Sequence, residues 1–261
     1  MFEDLIESLP LGGVFVLFAI VALVLYELGF RLGRWWQDRT PDEKEGPTGM
    51  IVGSILALLA FLLAITMGMA VDRFDTRRGL VLEEANSIGT TYLRAGYLPE
   101  PASTTSRDLI REYVPLRIAP ENLDDIDEQL AAGNELLNEL WLIAEDLARE
   151  DSGSEMLALY IDSLNETIDV NTSRTVAGVY VRVPETVLLL LFVGAALTLG
   201  MVGFNSGLSR HRSPLTALVL IVVLGATIML IVDIDLPQGG TLTVSQLPME
   251  LLAEQIGATV E

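Results

Sequence analysis

MIVGSILALLAFLLAITMGMAVDRFDTRRGLVLEEANSIGTTYLRAGY, residues 50–97, decides the fold. Residues 50–71 carry no charge and meet the ~17–25 residues that cross a ~30 Å hydrocarbon core at about 1.5 Å per residue. The following stretch contains no proline and only scattered glycine, so the helix is expected to run on past the bilayer to about Tyr97. There it becomes two-sided. Thr76, Glu83, Asn86, Thr90 and Arg94 share a polar stripe, and Leu80, Val81, Ala85, Ile88 and Tyr92 form the apolar one. An apolar stripe that leaves the membrane must be buried against other helices.

Three more apolar runs, 11–30, 186–204 and 214–232, have spanning length, and Glu27 is the one charge in all four segments. The chain of 261 residues combines 51% hydrophobic residues with a net charge of −20. That combination is explained once the charges are located outside the spans. Residues 72–183 hold 22 acids and 10 Arg and no run long enough to span. The sequence therefore reads as all-α, with four transmembrane helices and a helical extramembrane bundle between spans 2 and 3. The expected organisation is 1–49 as the first transmembrane helix and a polar loop, 50–71 as the second, 72–183 as the acidic bundle, 184–232 as the third and fourth, and 233–261 as an extended C-terminal tail.

Bundle helices are expected over 106–118, 120–149 and from a capping box at Ser152-x-x-Glu155. The last of these presents Met156, Leu159, Tyr160, Leu164 and Ile168 at helical spacing. Aspartates at 124, 125 and 127 with Glu128 lack the glycine and terminal glutamate of a calcium loop. In the tail, Pro248 to Ile256 is a short amphipathic piece.

The first span ends among interface residues, Tyr26, Trp35 and Trp36 with Arg31, Arg34 and Arg39, and Glu27 stands four residues before Arg31. Cations concentrate in the two short loops, at Arg31, Arg34, Arg39, Lys44, Arg210 and Arg212. By the positive-inside rule those loops are cytoplasmic, and the N-terminus, 72–183 and the C-terminus are extracytoplasmic. Gly29-x3-Gly33, Gly49-x3-Gly53 and Gly203-x3-Gly207 are close-packing signals for membrane helices.

Several chemistries are excluded. The chain has no cysteine and one histidine, His211, so thiolate catalysis, cysteine-held metals and histidine-built metal sites fall away. No zinc-protease helix, phosphate loop or nucleophile elbow is present. The acidic surplus argues against nucleic acid as a partner. No cofactor, metal site or catalytic residue is expected. The candidate pore or network residues are Asp72, Arg73, Arg77, Arg78, Glu83, Glu84, Asn86 and Arg94 at the mouth of span 2, and Asp233 and Asp235 at the end of span 4.

Three blocks carry a family resemblance: MAVDRFDTRRGLVLEEANSIGTTYLRAGYLPEP (69–101), LYIDSLNETIDVNTSR (159–174) and IVDIDLPQGGTLTVSQLPMELL (231–252). In these blocks and in its two-plus-two arrangement of spans, the chain resembles the bestrophin-like membrane proteins grouped as DUF4239. It departs at Leu236 and Gln238-Gly239, where relatives carry basic residues. The resemblance implies the layout of bestrophins, which are oligomeric anion channels with four spans per subunit and a helical region between spans 2 and 3. Their aromatic constriction has no match here, where Phe61 is an isolated aromatic in span 2. In bestrophins the region between spans 2 and 3 is cytoplasmic, opposite to the cation count. The expected function is an oligomeric ion channel or permeation protein in a cell membrane, a homo-oligomer in the lipid bilayer that passes inorganic ions. The alternative is a non-conducting scaffold or sensor whose acidic bundle binds a partner.

Overall fold

The structure, a computed structural model, describes residues 11–40, 45–119, 125–236 and 240–259. The N-terminal ten residues, Lys44, Asp124 and Gln238-Gly239 lie outside these. Among the described residues eight α-helices follow in order: α1 (Leu11–Arg39), α2 (Glu45–Ala95), α3 (Ala102–Leu116), α4 (Ile126–Glu150), α5 (Glu155–Thr175), α6 (Glu185–Leu208), α7 (Pro214–Asp235) and α8 (Leu247–Ile256), with a π-helical turn, Val176–Tyr180, after α5. The described residues contain no strand. The chain divides into two compact units, residues 1–72 with 182–242 and residues 73–181 with 243–261.

The first unit holds α1, α6, α7 and the opening part of α2. Its helices include those long and apolar enough to cross a membrane, and its outer surface is as apolar as its interior. Val16, Ile20, Val24, Leu28, Leu215 and Leu218 are all more than half exposed. Water does not tolerate such a surface, and acyl chains do. Inside, Val14, Phe18, Ala22, Tyr26 and Phe30 recur every fourth residue as one buried ridge of α1.

That ridge lies against α6 at backbone contact. A Cβ on Gly29 would stand 2.0 Å from the Gly200 carbonyl oxygen, and one on Gly33 2.1 Å from that of Phe204. In the other direction, a Cβ on Gly203 would stand 2.1 Å from the Tyr26 carbonyl oxygen and one on Gly207 2.3 Å from that of Phe30. In lipid, where apolar burial does not drive helices together, such close packing is what joins them. Gly225 of α7 receives the rings of Phe15 and Phe18 in the same way. The third glycine pair behaves differently: a Cβ on Gly53 meets nothing within 4 Å, and one on Gly49 meets only the Asn205 amide at 3.7 Å.

The second unit is a helical bundle around the rest of α2. Val81, Ala85 and Ile88 are buried as the apolar stripe requires, among Ile110, Tyr113 and Val114 of α3, Leu137, Leu140 and Ala144 of α4, and Leu157, Tyr160 and Leu164 of α5. Two expectations are corrected. The N-cap of α5 is Ser154, whose Oγ accepts the Leu157 N–H at 3.2 Å, and not Ser152. In that register Leu157 turns inward, while Met156 and Leu159 are 51% and 43% exposed. The second correction concerns the tail. Residues 243–261 belong to this unit, and α8 places Met249, Leu252, Ala253 and Ile256 in its core. The helix ends at Gly257, whose φ of 71° is the left-handed conformation glycine adopts without strain.

The glycine contact gives a direct test. Gly203→Ala must push α1 and α6 apart, which should cost about 1–3 kcal/mol or more. Gly12→Ala, with nothing within 4 Å, should be silent. Thermal unfolding in detergent, followed by circular dichroism, should show a lowered midpoint for Gly203→Ala alone.

Candidate functional site

The candidate residues around span 2 separate into a buried set and an exposed set. Glu84 is fully buried, with Arg117 5% and Arg174 13% exposed at the side chain. The Arg117 Nε donates to one Glu84 oxygen at 2.7 Å, and the Arg174 Nη1 donates to the other at 2.5 Å. Tyr113 adds a longer hydroxyl contact of 3.3 Å to the first oxygen. The second arm of Arg174 donates to Gln246 Oε1 at 2.8 Å, and the Gln246 amide donates to the Val244 carbonyl at 3.0 Å. One carboxylate thus ties α2 to α3, α5 and the segment that leads into α8.

The electrostatics follow from burial. Burial, with the neighbouring Glu84 charge second, holds the Tyr113 hydroxyl well above the usual tyrosine range. Burial, the largest single effect, would lower the Arg117 guanidinium, but the charge of Glu84, the neighbouring Tyr113 and the hydrogen bond to Glu84 together outweigh it and the net shift is upward. Arg117 is therefore a permanent cation and Tyr113 a permanent neutral donor.

Of the remaining candidates, Arg77 is 5% exposed and Arg73 half-buried, and both are engaged by neighbours. Arg94 donates to the Leu159 carbonyl at 2.7 Å and reaches Asp162 at 3.4 Å. Asp72 and Arg78 are exposed. Glu83 and Asn86 line a shallow groove of about 330 Å³ with Gly79, Leu82, Ser87, Thr90 and Glu166. Glu83 and Glu84, both candidates, part company: adjacent positions on a helix differ by about 100°, which sends one to the groove and the other into the core.

The part of α2 in each unit has exposed residues of its own. Gly53, Ala57, Ala60, Ala64, Gly68, Asp75, Gly79, Leu82, Asn86, Leu93 and Tyr97 are exposed and recur at three- and four-residue steps or sums of them. A Cβ on Gly53, Gly68 or Gly79 meets nothing within 4 Å. Beside the small residues of the apolar part, Ile51, Leu58, Ile65 and Met69 form a second exposed strip of large side chains.

Asp233 and Asp235, in the first unit, form anchors. Both are buried, 5% and 6% exposed. The Val183 N–H donates to the two Asp235 oxygens at 3.0 and 2.9 Å, at the start of α6 where the helix dipole favours an anion. The Thr241 N–H and hydroxyl donate to Asp233 at 2.6 and 2.5 Å. These contacts fold the chain after α7 back on itself.

The residues that sequence reasoning missed are Tyr113, Arg117, Arg174 and Gln246. Arg174 and Gln246 do lie in the second and third resemblance blocks and Glu84 in the first, so all three blocks meet at one buried carboxylate. Arg117, before Pro120, had no such signal.

Four apolar helices, one continuing into an acidic bundle braced by a buried ion cluster, define a multi-pass helical membrane protein. The Bestrophin-like domain model matches residues 15–249, and the chain belongs to that family. Among solved structures it is similar to a bacterial bestrophin homologue from Klebsiella pneumoniae at 15% identity and a TM-score of 0.62, covering 93% of this chain and 94% of that one. Two variants of the homologue give TM-scores of 0.63 and 0.65 at 16% and 15% identity, covering 93% and 92% of this chain and 96% and 95% of theirs. No curated protein sequence matches.

The ion cluster predicts a contrast between neighbours. Glu84→Gln leaves two buried guanidiniums without their counter-charge, a loss of about 3–5 kcal/mol. Glu83→Gln, on the exposed side, should stay within about 0.5 kcal/mol of the parent. Chemical unfolding of the two purified variants separates the cases, and equal stability would remove Glu84 from its bracing role.

Proposed function

We propose that the protein is a homo-oligomeric ion channel in which copies of α2 surround a shared pathway. The observation that carries this reading is the exposed face of α2. Among the described residues a 51-residue helix leaves one face exposed, small within the apolar part and beyond it a mixture of polar residues with Leu82, Leu93 and Tyr97, where Glu166 is the neighbour at the groove. Small residues permit close approach of further helices in lipid, and the adjoining strip of large apolar residues suits acyl chains. Four helices of one chain are too few to enclose a private pore, so the pathway belongs to the assembly. Membership of the bestrophin-like family supports the same reading.

The candidate charges divide by role under this proposal. Glu84, Arg117 and Arg174 brace the bundle, and Arg94 joins α2 to α5. Ions would meet Asp72, Arg78, Glu83 and Asn86, the exposed members of the set on α2, together with the neighbouring Asp75. Rings of such side chains set charge selectivity in pores.

Purified protein reconstituted in liposomes is expected to be oligomeric by light scattering and to pass small ions. Neutralising Glu83 should shift the reversal potential under a salt gradient toward anions without loss of assembly. A monomer that passes neither anions nor cations would overturn the channel reading and leave the scaffold alternative.

A further inference from the structure

α5 brings to the groove a charge that the candidate set on α2 lacks. Thr91 of α2 and Thr167 of α5 are buried, and their hydroxyl oxygens stand 2.9 Å apart. Ser87 and Ser163, four residues away on the same two helices, are buried as well. Each of the four hydroxyls has a carbonyl of its own helix within reach, so α2 and α5 approach on short polar side chains with none left unpaired. Glu166 adjoins Thr167. About 100° round α5 from that inward residue, it is exposed and lines the same groove of about 330 Å³ as Glu83 and Asn86. Neither Glu83 nor Glu166 has an ion pair among the described residues.

The surroundings keep the same sign. Within one turn of a lining residue, α2 and α5 carry four further acids, Asp75, Glu84, Asp162 and Asp169, against Arg77, Arg78 and Arg94. Arg94 is engaged by the Leu159 carbonyl and Asp162, and Arg77 is buried. Arg78 is exposed, and it stands about 140° round α2 from Glu83. Arg117 and Arg174 face Glu84 in the core.

We propose that Glu166 is a second charge-selectivity residue, which with Glu83 on the neighbouring helix holds the groove at a negative potential that gathers small cations and turns anions away. This role rests on the reading of α2 as the wall of a shared pathway. A cleft lined by one sign of charge focuses its field, and rings of such charges around a pore set what passes. Glu166 acts through that field and need not hold a bound ion.

The field can be read apart from conduction. The chain lacks cysteine, so Asn86→Cys puts a single thiol in the groove. In reconstituted protein at low salt, its rates of modification by a cationic and an anionic methanethiosulfonate reagent are each measured against a free thiol. A ratio several-fold in favour of the cation is expected. Adding Glu166→Gln should lower the ratio about as much as adding Glu83→Gln, and Glu166→Asp should keep most of it. Glu139→Gln, exposed on α4, should leave it unchanged. At about 1 M salt, where charges are screened within about 3 Å, the preference should vanish. Without the added thiol, Glu166→Gln should shift the reversal potential under a salt gradient toward anions, and unchanged melting midpoints show the variants folded. A thiol ratio indifferent to Glu166→Gln, or a conducting protein whose reversal potential it leaves in place, would overturn the role of Glu166. A parent that passes no ions while its thiol ratio still responds would instead remove the channel reading, and the selectivity role with it.

Discussion

Glu84 is a carboxylate with no exposure to water, and a bare charge in that position is not tolerated. Two guanidiniums and a tyrosine hydroxyl compensate it, from α3 and α5, and one of those guanidiniums reaches on to Gln246. Every helix that contributes to the cluster is thereby fixed in rotation about α2. The apolar stripe of α2 then faces inward by necessity, and the opposite face is left outside. Bundle packing and the open face of α2 are two sides of the same constraint.

The membrane unit reaches its arrangement by other physics. Between α1 and α6, glycines at positions 29, 33, 203 and 207 let backbones touch, and no side chain larger than hydrogen fits at any of the four. Gly53, Gly68 and Gly79 of α2 meet nothing within 4 Å. A helix with glycines facing open space is poorly suited to a monomer in lipid and well suited to association, which is why the proposed pathway is placed at that face.

Much of this was legible in the sequence because it is local. Spans, the unbroken run of α2 and its apolar stripe follow from composition and periodicity, which report on one helix at a time. The pairing of Glu27 with Arg31 followed from i,i+4 spacing in the same way. The roles of Glu83 and Glu84 were not legible, since two adjacent acids look alike until the helix is rotated against its neighbours. The glycine pairs looked alike for the same reason: Gly29-x3-Gly33 and Gly49-x3-Gly53 differ only in what stands opposite. Ser152 and Ser154 compete for one cap, and the two-residue difference decides whether Leu157 or Met156 is inside. The ten residues of α8 are too short to be stable as an isolated helix, and their place in the core depends on packing that a linear pattern does not express.

The central functional claim is that the open face of α2 lines the pathway while the outer surface of the bundle does not. Because the chain lacks cysteine, single thiols can be introduced at Asn86 on that face and at Leu142, 58% exposed on α4. Both variants are reconstituted and treated with a cationic methanethiosulfonate reagent during ion flux, with modification measured by mass spectrometry. The account predicts that modification at Asn86→Cys reduces flux several-fold and that equal modification at Leu142→Cys leaves it unchanged. Full modification at Asn86→Cys with undiminished flux would contradict it.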